Sequence, residues 1–396
     1  MVSRRTMIAG GAGAAVLAAL GYRAWDRGAL SIGKGPAYEA WSEGQGHPGE
    51  GPTRPLHAAI LAASAHNTQP WLFEPHEDSI TVYADLSRNL GAADPFRREL
   101  YVSLGCALYN LGIAAGHSPE VPLPDIEDKP LTPNPPPRMT RICEQLLLSG
   151  QSRAHEDRRQ EMAALAKRHT HRGAYLKDRP IPASFLKSYG FAYFVTDPGA
   201  VKAMGDVIVD ATVRFIADRE MSRDSGRWMR TGRREIEAHR DGVAVDAAGL
   251  SPAVTAMAKM LPDQDQITAD KYWLDATDKV QVATAPAYGV FFMPDRLTTD
   301  SAIATGANWQ MLHIAAAMAG LAMQPMNAPI EIMDRDFVQG RRNSYAKEIG
   351  EIAAAQGTGE DGDDIAFLFR LGYAEQDAKP SPRRRLQDVI RQRGFA

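Results

Sequence analysis

Four short stretches alternate apolar with polar positions, or run apolar throughout, and are rich in β-branched and aromatic residues. They are "SITVYAD" (Ser79–Asp85), "FAYFVTD" (Phe191–Asp197), "YGVFFMP" (Tyr288–Pro294) and "IAFLFRLGY" (Ile365–Tyr373). This patterning predicts strands. Elsewhere the period changes to that of a helix. Leu104, Leu108, Leu111 and Ala115 fall on one stripe, and Trp309, Leu312, Ala316 and Leu321 do much the same. The two helical runs read "GCALYNLGIAA" from Gly105 and "GANWQMLHIAA" from Gly306. Both spell Gly, five residues, Leu, one residue, Ile-Ala-Ala, and each follows an aspartate (Asp94, Asp300). The shared spelling argues for an internal duplication, and the small residues allow close helix packing. The expected fold class is therefore α+β: helices around antiparallel or mixed sheets, in two related halves.

Punctuation between these elements sets the domain boundaries. Residues 1–27 carry Arg4-Arg5 directly before a small-residue apolar run, Met7–Leu20. That pattern reads as an export signal of the twin-arginine type, partial in its match, with no clean A-x-A cleavage site after it. The segment then serves as a removed signal or a retained anchor. The expected location is the periplasm or the membrane surface, and the cytoplasm if the signal is not functional. Residues 28–54 are rich in Gly, Pro and Glu and read as a linker. The first half, 55–137, ends in the proline-rich connector "HSPEVPLPDIEDKPLTPNPPPR", and the second half covers 138–396. Within it, about 200–281 has no counterpart in the first half; it starts as a helix (Ala203–Arg219) and turns irregular around "HRDGVAVDAAGLSP". A long segment of that kind is expected to act as a lid, or else to be disordered.

Composition narrows the chemistry. A 396-residue chain that is 44% hydrophobic and 23% charged is globular, and a net charge of −3 without a basic stripe excludes nucleic acid as the expected partner. Cys106 and Cys143 are the only cysteines, and no metal-ligand spacing occurs. Two clusters remain. In "KRHTHRGAY", Arg168, His169, Thr170 and Arg172 lie within about one helical turn; "SPRRRLQDVI" adds Arg383, Arg384 and Arg385. Either is a solvated basic turn or an anion site, since guanidinium groups pair well with phosphate. A third feature is "ILAASAHNTQPW" (Ile60–Trp71), where a helical run stops in small polar groups. It is either a turn or a set of amides and hydroxyls offered to a flat polar ligand.

Together these motifs resemble the FMN-dependent nitroreductases. Arg-His-Thr-x-Arg followed by Pro-x-Pro resembles their N-terminal signature, and "ASAHNTQPW" resembles their Asn-x-Gln-Pro-Trp turn. "GLAMQPMNAP" resembles the loop beside the flavin ring, and "RLGYAEQDAKPSPRRRLQDVI" the C-terminal strand and basic phosphate contact. The internally duplicated, Acg-like branch is the nearest in pattern, and the resemblance covers roughly Pro55–Ile390. The motif order departs from an ordinary member, whose flavin site is shared by two subunits. Here the first half has the turn and the second half has the arginine signature, ring loop and basic tail. That implies a fused dimer with one complete site, monomeric in solution.

The resemblance implies a role for each residue. Arg168, Arg383 and Arg385 hold the FMN phosphate, with His169 or Thr170 as neutral donors. Ser64, Asn67 and Gln69 meet the pyrimidine edge, and Arg172 stands as a cation near the ring. Gln324, Met326 and Asn327 come from the loop beside the reactive edge. The flavin carries the chemistry, so no acid, base or nucleophile is assigned. Trp71 is expected to pack rather than touch the ring, His66 to be an exposed turn residue, and Trp228, His239, Arg240 and Asp241 to lie at the surface. Two activities follow: NAD(P)H-dependent two-electron reduction of nitroaromatics, quinones or similar acceptors, or sequestration of a lid-covered FMN with little turnover. A cofactor-free envelope scaffold would instead give colourless protein.

Overall fold

A computed structural model describes residues 18–42, 53–116, 123–146, 159–356 and 364–391. Arg4-Arg5, most of the apolar run after them and the start of the proline-rich connector lie outside the described residues. Among the described residues nine strands form two principal sheets and a short pair. In the first sheet β1 (Trp71–Pro75), β2 (Ser79–Asp85) and β3 (Met139–Leu146) are antiparallel in the order β1-β2-β3. In the second, β4 (Tyr193–Val195), β7 (Ala287–Met293), β9 (Asp364–Gly372) and β8 (Ala322–Pro325) are antiparallel in the order β4-β7-β9-β8. The α+β class expected from the patterning holds. β9 is central, flanked on both edges, and is buried along nearly its whole length. That is why its sequence runs apolar rather than alternating.

The helices around these sheets include α1 (18–27), α2 (Arg54–Ala59), α3 (Arg98–Ala114), α4 (Pro198–Ala217), α5 (Arg219–Gly226), α6 (Arg233–His239), α7 (Pro252–Met260), α8 (Gln266–Ala276), α9 (Thr299–Met318) and α10 (Ala328–Val338). The two repeat helices, α3 and α9, cross at their glycines. A Cβ on Gly105 would stand 2.0 Å from the Ile303 carbonyl oxygen, and one on Gly306 would stand 1.9 Å from that of Val102. The contact is reciprocal: each glycine faces the carbonyl three residues before the other. Only hydrogen in place of a side chain permits this approach. Cys106 donates its S–H to the Gly306 carbonyl at 3.2 Å, and Gln310 donates to Asn110 at 2.9 Å across the same contact. One apolar core spans both halves, joining Trp71, Phe73 and Val82 of the first sheet to Trp309, Phe367 and Phe369 of the second half. Trp71 is fully buried, a packing residue as expected. Cys106 and Cys143 are both free and buried.

The inserted segment starts as a helix and is irregular over 240–251, as expected, but is more helical beyond those stretches than its sequence suggests. It is largely helical, from α4 through α8, with one short parallel pair, β5 (Met229–Arg230) and β6 (Val243–Ala244). Polar caps explain the helix starts: Asp197, Asp218, Ser251 and Asp265 each accept backbone N–H groups of the turn that follows. Gly249, at φ +79°, lets the chain return so closely that a Cβ there would lie 2.2 Å from the Gly173 nitrogen. Part of the expected linker is packed as well. Ala37, Tyr38 and Trp41 are buried, and Tyr38 donates its O–H to Asp246 at 2.8 Å. Asp246 also accepts from the Gly33 N–H and pairs with buried Lys259, so the N-terminal segment is buckled onto the insert.

Candidate functional site

The basic motif and the basic tail meet. Arg168, His169, Thr170 and Arg172 line one cavity with Arg383, Lys379 and Ser381 from the tail and Ser64 and Asn67 from the turn. The insert supplies the remaining wall through Gly242–Ala244 and Ala247. The cavity measures about 40 Å³, room for a small anion and not for a three-ring system.

Its electrostatics are unusual. Arg168 and Arg383 are 2% exposed, yet no carboxylate pairs with Arg168, Arg172 or Arg383 among the described residues. Some buried cations elsewhere have carboxylate partners, Arg98 with Glu99 and Asp334 and Arg230 with Asp241, whereas Arg370 rests on carbonyls and the Gln324 amide. The three uncompensated guanidiniums rest on neutral groups. Arg168 donates to the Leu61 carbonyl at 3.2 Å and meets His313 Nδ1 at 3.3 Å. Arg383 donates to Asn67 Oδ1 at 2.9 Å. Arg172 reaches the Ala247 carbonyl at 3.3 Å. Trp41 provides a π face, 5.8 Å from Arg168 and 4.7 Å from Arg383, with the His169 ring edge-on to it at 4.4 Å. Burial pushes Arg168 and Arg172 down to about 10, and Arg383 well below its ordinary value. Burial, then the charges of Arg168 and Arg383, push His169 down to about 3. His169 is thus a neutral ring in a positive field.

Three polar atoms in this cluster are buried without a partner: Arg168 Nε, Arg383 Nε and His169 Nδ1. Buried polar groups are nearly always satisfied, so orphaned donors around a cationic cavity are a fit for an oxyanion. The residues present therefore suit the phosphate end of FMN.

The turn behaves differently. Asn67 donates to the carbonyls of Gly242 and Pro382, at 3.0 and 2.9 Å, and accepts from Arg383. Gln69 donates to the Arg240 carbonyl at 2.9 Å and accepts from the Arg384 N–H at 2.8 Å. Ser64 Oγ accepts from the Gln69 N–H. Asn67, Gln69 and His66 all sit at positive φ, a backbone shape that aims side chains at the insert and tail. The amides expected at a ring edge here hold the cover and the tail in place.

The other expected residues are dispersed. Arg385 does not join the cavity: it is half-exposed and pairs with Asp388 at 2.9 Å, while Arg383 points inward. Gln324, Met326 and Asn327 are buried but do not line the cavity. Gln324 bonds Gln281 and Arg370; Asn327 donates to Glu99 and accepts from the Leu368 N–H. His66 is half-buried rather than exposed, bonded to Ser225 Oγ at 2.8 Å and pushed down to about 4 by burial and Arg172. Asp241, expected at the surface, is buried between Arg88 and Arg230, whose guanidiniums flank Trp228. Arg240 donates to the Pro36 carbonyl at 2.8 Å.

Two contributors escaped the sequence reading. Trp41 lay in the supposed linker. Arg370 is a fully buried cation in the apolar run of β9; it stacks 3.9 Å over Tyr175 and donates to the carbonyls of His171 and Gly173. A lone arginine in a central-strand pattern was the available signal.

No family model matches the chain. Curated proteins from two strains of Mycobacterium tuberculosis, each named "Putative NAD(P)H nitroreductase", are 25% identical over 352 residues, covering 85% of this chain and 89% of theirs. Among solved structures, an FMN and NADPH-dependent nitroreductase, NfnB, from a Sphingopyxis strain overlaps 59% of this chain and 99% of its own at 18% identity, with a TM-score of 0.36. A nitroreductase-like family protein from Bacillus cereus overlaps 62% and 98% at 10% identity, with a TM-score of 0.30. Those TM-scores are too low to carry an argument about this chain, whereas the similarity to the mycobacterial proteins extends over most of both sequences.

Proposed function

We propose that the protein is an FMN-dependent oxidoreductase of the nitroreductase type, with NAD(P)H as reductant. The observation that carries the reading is the pair of buried guanidiniums, Arg168 and Arg383, with half-buried Arg172 beside them, none with a carboxylate, and the unpartnered nitrogens of Arg168, Arg383 and His169. The names of the mycobacterial relatives support the same chemistry. When bound, FMN supplies two-electron transfer to nitroaromatic, quinone or similar acceptors. The chain's own residues hold and tune it. Arg168 and Arg383 offer charge-assisted bonds to phosphate, Trp41 backs both cations, and Arg172 stands as a further cation of the same cavity. The tight reciprocal contact of Gly105 and Gly306 supports a fused pseudo-dimer, as in the duplicated Acg-like branch. We assign the N-terminal segment to export or anchoring by the twin-arginine route.

A specific observation favours the second reading, sequestration. Asn67 and Gln69 are tied to the insert, and Gly242–Ala247 close the cavity to about 40 Å³. A flavin ring fits only if that stretch moves. The two readings separate in one experiment on the purified protein. Yellow protein that releases FMN on heating, and bleaches on anaerobic addition of NADPH, supports the reductase. FMN that stays oxidised under NADPH supports sequestration. Colourless protein that takes up no FMN overturns both.

A further inference from the structure

Helix α1 leaves Leu20, Tyr22 and Trp25 uncovered, with Trp25 58% exposed, and Leu30 just beyond it is 86% exposed. The helix is not loose. Arg23 donates to the carbonyls of Met260 and Leu261 at 3.1 and 3.4 Å, and Arg27 to that of Lys259 at 3.0 Å. Arg233 lies 5.3 Å over the Trp25 ring. These bonds dock α1 on the C-terminal end of α7. That helix has its own uncovered stripe: Val254, Met257 and Leu261, spaced three and four apart, with Met257 69% exposed. Single exposed apolar residues need no explanation, but two adjoining helices that both present them form a surface that excludes water on contact with something.

The sequence leading into α1 indicates what that something is. From Met7 through Tyr22 it carries no charge, and Tyr22 and Trp25 stand at its end, interleaved with Arg23 and Arg27. An apolar run closed by aromatic rings and then arginines is the order of groups across a membrane interface, from hydrocarbon through headgroups to water. No helix of the described residues is long and apolar enough to cross a membrane. We propose that α1 and α7 together form a face that rests on a lipid bilayer, Trp25 and Met257 entering the headgroup layer. The inference does not depend on the flavin. It makes the insert, through α7, a membrane-contacting part of the molecule.

The test uses the full-length chain and sedimentation with vesicles of phosphatidylcholine containing a minority of phosphatidylglycerol. Wild type is expected to pellet with the vesicles, and the W25E/M257E variant to partition about tenfold less at an unchanged thermal midpoint. Brominated lipid is expected to quench part of the wild-type tryptophan emission, and Trp25→Phe to abolish that part while still binding. Three results overturn the proposal. Wild type stays in the supernatant. W25E/M257E binds like wild type, which leaves the preceding residues as the whole attachment. Or W25E/M257E converts a lipid-free oligomer to monomer, which makes the face a contact between copies.

Discussion

Arg383 and Arg385 stand two residues apart in one basic run, and the fold gives them opposite surroundings. Arg383 is buried over Trp41; Arg385 is spread on Asp388 at the surface. Arg383→Ala is expected to weaken FMN binding roughly tenfold to a hundredfold, since a hydrogen bond to a charged group contributes about 1.5–3 kcal/mol. Arg385→Ala is expected to leave it unchanged; fluorescence titration of the flavin-free variants reads both. Arg172→Ala has a different signature. Loss of a cation worth on the order of 1.5–3 kcal/mol to the reduced cofactor lowers its two-electron potential by roughly 30–60 mV. A redox titration that matches wild type, with flavin lost on dialysis, would reassign Arg172 to the phosphate. His169 supplies a pH effect. Its folded pKa, about 3, lies below the ordinary value of about 6.5, so the unfolded chain binds more protons between those values. Its contribution to stability is intact above about 6.5 and is lost as pH falls toward 3. Burial pushes Asp94 and Glu331 upward, which acts in the opposite sense, so the useful quantity is a difference. A phosphate beside His169 raises its pKa. The gap in melting temperature between FMN-loaded and FMN-free protein should therefore widen from pH 7.5 to 5.5, whereas a constant gap would place His169 away from the phosphate.

The crossing of α3 and α9 ties a spelling in the chain to a contact in space. Gly105→Ala puts a methyl 2.0 Å from a carbonyl oxygen, so the helices must separate. Overpacking of that kind costs on the order of 1–3 kcal/mol. Gly350→Ala is the control: nothing lies within 4 Å of that Cβ, and Ala favours a helix interior by about 0.5–1 kcal/mol. Denaturant midpoints should move in opposite directions. The strands and the repeat helices were legible because burial on one or both faces writes a period into the sequence: β2 occupies the predicted Ser79–Asp85 span, and β7 and β9 lie within one residue of theirs. The insert was less legible. Its helices rest on single capping residues, Asp218, Ser251 and Asp265, set in a stretch whose Gly and Pro content reads as loop. Trp41 was invisible for a related reason. Nothing local marks an aromatic residue whose partners, Arg168 and Arg383, lie far along the chain.

At the scale of the whole molecule, one complete set of motifs predicts one FMN per chain and a monomer in solution. Heat-released flavin quantified against protein, with light scattering, measures both; two flavins per chain would end the one-site reading. The sequence indicated which residues would gather, and Arg168, His169, Thr170, Arg172 and Arg383 do line one cavity. It could not indicate that Asn67 and Gln69 would spend their hydrogen bonds on the insert and tail, because that depends on where distant backbone carbonyls come to rest. The buckle at Asp246 has a consequence of another kind. Tyr38, Gly33 and Lys259 converge there, fastening the N-terminal segment over the stretch that walls the cavity. If the anion held by the guanidiniums leaves past that wall, the fastening sets its rate of escape. How tightly the ligand binds and how long it stays are then set by different residues. Tyr38→Phe removes one bond of the buckle and none of the cavity's, and should shorten the ligand's residence time while slowing neither its recognition nor its final occupancy at saturation.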